Sequence, residues 1–159
     1  MKKRLSRGFS LIELMVTVAI IAVLAGMVLP LTEVAAQRSR EVELRANLRE
    51  IRAAIDAYKQ ATDEGRVPKA TDASGYPPNL DVLVNGVVDP KSPDKRRMYF
   101  LRRLPRDPMA TDESVAPSMT WGKRSYKSPP DDPREGDDVF DVYSLSTGVG
   151  LNGVPYREW

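Results

Sequence analysis

With 159 residues the chain has room for one domain. It holds no cysteine and no histidine, which removes disulfide stapling, the usual general base and the commonest transition-metal ligand. The formal net charge of +2 is too small to argue for nucleic acid by bulk charge.

The N-terminus is basic, with Lys2, Lys3, Arg4 and Arg7 ahead of Gly8. From Phe9 to Leu31 runs an apolar block of 23 residues in which Glu13 is the only ionisable side chain. About 20 apolar residues cross a bilayer core of about 30 Å, so residues 9–31 are predicted to span a membrane. The basic leader then stays cytoplasmic and the rest of the chain faces outward. A carboxylate costs about 2.5–3.5 kcal/mol at the centre of such a helix, and one found there is usually functional. Near the end of the span the first helical turn also suits a negative side chain. A cut after Gly8 would create an α-amine on Phe9 at a depth close to Glu13. One subunit's amine can then pair with its neighbour's Glu13 and set axial register as subunits leave the lipid. Removal of residues 1–8 takes away four positive side chains, so the remaining side chains sum to −2. A rival reading is a secretory signal peptide cut after Ala36, with Val34-Ala35-Ala36 as the small-residue site and Gln37 as the new N-terminus. Glu13 inside the core weighs against it, as does a block longer than the usual roughly 7–15 residues.

Gly26 and Pro30 interrupt this first segment. Pro30 lacks an N–H and crowds the carbonyl of Gly26, at a cost of about 3 kcal/mol. Residues 26–30 are therefore expected to hold a static kink, or to bend or melt when the subunit enters a filament. Beyond them the helical pattern continues. Leu44, Leu48, Ile51, Ile55 and Tyr58 recur at spacings of four and three, which is one face of an α-helix. Arginines and carboxylates alternate on the other faces, with Glu41–Arg45 and Arg52–Asp56 spaced as i,i+4 ion pairs. That balance argues for a solvated face or subunit contacts, not a nucleic-acid site. No Gly or Pro falls between Leu31 and Glu64, and Gly65 with Pro68 closes the run. One helix from about Phe9 to about Thr62 is predicted, roughly 80 Å long.

After Gly65 twelve prolines exclude long helices. Leu80, Val82, Leu83 and Val84 suggest a short helix or turn, and Met98 to Leu101 is a brief apolar run. Met119–Tyr126 and Val139–Leu145 read as strands. The expected architecture is α+β: a long N-terminal helix whose second half packs on a small antiparallel sheet. The expected divisions are a leader over 1–8, a membrane and assembly segment over 9–31, its amphipathic continuation over 32–64, and a globular head over 65–159.

Gly8-Phe9-Ser10-Leu11-Ile12-Glu13-Leu14 resembles the processing site of type IV pilins and of type II secretion pseudopilins. The resemblance implies cleavage between Gly8 and Phe9 by prepilin peptidase, and N-methylation of Phe9. It places the family's assembly glutamate on Glu13 and its helix-kinking proline on Pro30. Three later segments resemble the major pseudopilins in the same order: Tyr76-Pro77 followed by Leu80 and Leu83, Leu104-Pro105-Arg106-Asp107-Pro108, and Asp141-Val142-Tyr143-Ser144-Leu145. In those proteins an aspartate-bearing loop follows and helps to bind calcium, whereas Ser146 to Gly153 here carries no carboxylate. The tryptophan-glycine turn expected just after Asp107-Pro108 is also displaced to Trp121-Gly122. An acidic cluster does precede the last strand, and Asp137, Asp138 and Asp141 are its calcium candidates, since Ca²⁺ takes six to eight oxygens.

No catalytic constellation stands out, and no enzyme is expected. Gly148, Gly150 and Gly153 have no following helix and fail the context test for a phosphate cradle. The resemblance implies a subunit held in the bacterial inner membrane with its head in the periplasm. Its partners would be other copies in a helical filament, prepilin peptidase, minor pseudopilins, the inner-membrane assembly platform and the lipid bilayer. The alternatives are a type IV pilin or minor subunit of a surface fibre, and an exported or anchored binding module.

Overall fold

The computed structural model describes residues 9–25 and 32–159, and between them only the helical backbone of residues 26–31. Gly8, and the local features expected of Gly26 and Pro30, lie outside the described residues. The chain forms two compact units, Met1–Ser39 and Arg40–Trp159.

Helix α1 spans Leu11–Asp63. Its C-terminal end is closed as the sequence predicts. Gly65 turns into the left-handed region at φ 69°, and the N–H of Arg66 folds back to the carbonyl of Ala61 at 2.8 Å, the usual means of satisfying end carbonyls. In the first unit every large apolar side chain described from Phe9 to Leu24 is exposed within the chain. Among the described residues no helix is long and apolar enough to cross a membrane.

The second unit is built on the apolar stripe of α1. Leu44, Leu48, Ile51 and Ile55 are at most 2% exposed, and Ala54, Tyr58 and Ala61 complete the face. Each fully buried large aliphatic side chain contributes about 1.5–3 kcal/mol. The stripe shares one core with Leu80, Leu83, Leu101, Trp121, Val139, Val142 and Tyr156. Helix α2 (Asp81–Asn85) is the short helix expected near Leu83. The side-chain oxygen of Asn79 caps it by accepting the Val82 N–H at 3.0 Å.

The expected antiparallel pairing is present, but divided. It is two separate antiparallel ladders: β1 (Val87–Val88) with β2 (Arg97–Met98), and β3 (Trp121–Arg124) with β4 (Asp141–Ser144). In the second ladder Trp121 faces Ser144 and Arg124 faces Asp141. Prolines at 105, 108 and 117 separate β2 from β3, and a residue without an N–H cannot continue a ladder. The apolar run after β2 makes no strand; instead the N–H groups of Phe100 and Leu101 both donate to the carbonyl of Leu83 at 3.0 Å.

The two helical ion pairs expected from spacing are replaced by longer-range contacts. Arg52 pairs with Asp141 at 2.7 Å instead of Asp56. Glu41 is buried and accepts hydrogen bonds from the head, while Arg45 lies 4.2 Å over the Trp159 ring. Spacing allows an i,i+4 pair, but such an exposed pair is worth only a few tenths of a kcal/mol. A partly buried partner with several acceptors outcompetes it.

Candidate functional site

Phe9 and Glu13, which the sequence resemblance marks for processing and assembly, stand at the N-terminal end of α1. Phe9 is 80% exposed. Ser10 precedes the first helical residue, and its hydroxyl accepts the N–H of Glu13 at 3.2 Å. In return a Glu13 carboxylate oxygen accepts the N–H of Ser10 at 3.5 Å. This is a reciprocal capping box, which satisfies two backbone donors that a helix start leaves open. The signature was present in the sequence as Ser10-Leu11-Ile12-Glu13, a serine followed three residues later by glutamate. It gives Glu13 a local role besides any pairing between subunits: the carboxylate is held against the backbone at the positive end of the helix.

From this turn onward the unit presents apolar side chains all round. Leu11, Ile12, Met15, Ile21 and Val23 are each exposed to 60% or more. Apolar surface on this scale marks contact with lipid or protein.

In the head, the three segments singled out from the sequence come together. The buried Asp107 accepts the hydroxyl of Ser144 at 2.6 Å and the N–H of Met109 at 2.8 Å. Its own N–H donates to the Thr120 hydroxyl at 3.2 Å. The Trp121 indole N–H donates to the carbonyl of Pro105 at 2.9 Å. The displaced Trp121-Gly122 pair therefore still meets the Pro105–Pro108 turn, and residues 109–119 are accommodated as a loop. Arg106 ties that loop down by donating to the carbonyls of Asp112 and Val115. The Tyr76-Pro77 segment is tied in just before β4, where the Pro77 carbonyl accepts the Val139 N–H at 2.8 Å. Tyr76 packs its ring on Phe140 and Tyr126 at 4.9 and 5.5 Å.

The C-terminal segment is held by three side chains of α1. Arg52 donates to Asp141 at 2.7 Å, to the Val142 carbonyl at 3.0 Å and to the Trp159 carbonyl at 2.7 Å. Glu41 accepts the Leu151 N–H at 2.8 Å and the Tyr156 hydroxyl at 3.0 Å. Arg45 covers the Trp159 ring. Tyr156 and Trp159 are the aromatic contacts on the C-terminal side. Sequence reasoning missed this role of Arg52 and Glu41, which carried no local signal beyond helical spacing.

The calcium candidates do not converge. Asp138 accepts the hydroxyls of Ser74 and Ser125 and the N–H of Tyr126. Burial raises its pKa, but the hydroxyls and the N–H outweigh it and hold the carboxyl below the ordinary range. Asp141 is divided between Arg52 and Arg124. Asp137 is exposed on the preceding loop. Among the described residues no group of three or more acidic side chains is disposed to hold a metal. This donor set does not fit a cation needing six to eight oxygens, because its best acceptors are already taken by protein donors.

The family described as "Prokaryotic N-terminal methylation motif" matches residues 3–29. The type II secretion system core protein G of Pseudomonas aeruginosa is 30% identical, over 86% of this chain and 91% of that protein. That of Aeromonas hydrophila is 30% identical over 77% of this chain and 81% of its own. That of Dickeya chrysanthemi is 27% identical over 95% of both chains. No solved structure matches the chain.

Proposed function

Because the chain belongs to the type II secretion system core protein G family, we propose that it is the structural pseudopilin subunit, polymerising into a periplasmic filament that drives protein export. The observation that carries the reading is the N-terminal unit. It combines a processing and methylation motif with a helix whose apolar side chains find no cover within the chain. In this reading the subunit waits in the inner membrane with its head in the periplasm, and lipid covers those side chains. Prepilin peptidase cuts between Gly8 and Phe9. On assembly, neighbouring helices replace the lipid. Glu13 leaves or shares its capping box and meets the α-amine of a neighbour's Phe9. The chain itself performs no chemistry; minor pseudopilins and an inner-membrane platform are its assembly partners.

The rival exported module would need cleavage after Ala36, in the middle of the unbroken α1. Intact-mass and peptide mass spectrometry of protein purified from host membranes tests the choice. A methylated Phe9 start, with loss of secretion when the gene is deleted, is the expected result. A Gln37 start or an intact Met1 overturns it.

A further inference from the structure

Over residues 43–50 of α1, the four charged side chains are sorted by sign. At about 100° per residue, Arg45 and Arg49 lie on one flank of the buried stripe. Glu43 and Glu50 lie on the other, about 130° away. All four side chains are exposed. Among the described residues none of the four has an ion-pair partner, while eight other pairs form elsewhere in the head. Arg45 rests its face on Trp159, which leaves the guanidinium edge available. Arg49 lines the neighbouring cleft with Arg52 and Asn152. Arg45 and Arg49 are four residues apart, and like charges at that spacing repel. So do two carboxylates seven apart on one flank, more weakly. The fold therefore keeps two uncompensated patches of opposite sign on the same stretch of helix, pointing to different sides.

We propose that these flanks are the two halves of one subunit contact: Arg45 and Arg49 of one copy dock against Glu43 and Glu50 of the next. This rests on the filament reading and names a surface for it. Complementary patches on different sides of one molecule make a heterologous contact, and such contacts propagate into open helical polymers instead of closing into two-fold dimers. Both flanks occupy residues 43–50, so parallel helices lying side by side bring them face to face. Charge pairing of this kind fixes register and excludes wrong neighbours. It would act one stretch further along the helix than Glu13.

The test uses the full chain in a bacterium carrying its secretion apparatus. One variant carries Arg45→Glu with Arg49→Glu, and the other carries Glu43→Lys with Glu50→Lys. Each alone is expected to lower filament yield by more than about tenfold, because it presents the same sign on both flanks. Co-expressed, the two are expected to restore filaments as an alternating copolymer. Thermal melting checks that each head is folded, and Arg49→Glu alone provides a variant that leaves the Trp159 contact in place. The contact is overturned if either double variant assembles alone like the native chain. It is also overturned if folded, Phe9-processed variants fail to complement each other. Reduced membrane retention with assembly intact would assign the arginines to anionic lipid and likewise overturn it. If the native chain itself shows no Phe9 start and no filament, the filament reading fails, and the contact with it.

Discussion

Asp138 shows how far a side chain's role depends on its surroundings. As one of a run of acids it is a metal candidate; in the fold it is a fully engaged acceptor that joins Ser74, Ser125 and the start of the loop after β3. Its pKa is lowered in the folded state. A carboxyl lowered from about 3.9 stabilises the fold above that pH, and the contribution is lost as pH falls through the folded value. Asp89 is lowered in the same direction, first by its hydrogen bond from Arg66. Asp138→Asn is expected to cost about 1–3 kcal/mol at pH 7, since an amide brings donors where only acceptors fit. It should also flatten the acid limb of a melting-temperature profile recorded from pH 7 to pH 3. A second residue-scale prediction concerns Gly122. A Cβ built there lies 2.3 Å from the Tyr143 ring across the ladder. Gly122→Ala must displace that ring and is expected to destabilise the head by about 1–3 kcal/mol by chemical denaturation. Tyr143→Ala in the same chain should remove most of the penalty.

At the scale of elements, the link between α1 and the C-terminal segment carries the most consequence. The Arg52 guanidinium joins both strand β4 and the last residue to the helix, neutralising Asp141 while satisfying two carbonyls. Arg52→Met keeps the length of the side chain and removes the donors. It is expected to lose about 1–3 kcal/mol and to open the C-terminal residues to carboxypeptidase before the rest of the head unfolds. Arg52→Lys should recover only part, because an ammonium cannot reproduce the planar fork. The helix itself was legible from its sequence. Spacing of four and three set the buried face, the lack of Gly and Pro from Leu31 to Glu64 set the run of its second half, and Gly65 set its end. The Ser10–Glu13 cap was legible too, as a serine–glutamate spacing. The split of the sheet was not, because strands of two to four residues leave too little alternation to show which run pairs with which.

For the molecule as a whole, the two units divide the work: one displays apolar surface, and the other is a self-contained packed head. The head's cohesion comes from the α1 stripe and from protein donors, without a fitting cation site among the described residues. Extracellular calcium modules bind with Kd of about 10⁻⁴–10⁻³ M. A folded-state site of that class would add roughly 1.4–2.7 kcal/mol at 10 mM calcium. The expected result is no rise in melting temperature of the head on adding calcium and no fall on adding EDTA. A clear rise would place a cation site on the acidic loop after all.

The processing motif, the apolar block with its one acid, the buried stripe and the turn at Gly65 were determined by sequence alone. Each is a short motif or a periodicity, set by groups within a few residues of one another. The tertiary structure decided which polar groups are partners. Arg52 reaches Asp141, Glu41 reaches Tyr156 and Asp107 reaches Ser144 across separations of 89, 115 and 37 residues. A charged side chain has many possible partners along the chain. Only packing of the helix against the head brings one of them within hydrogen-bonding distance, and it does so because a buried polar group left unpaired costs more than the contact itself is worth.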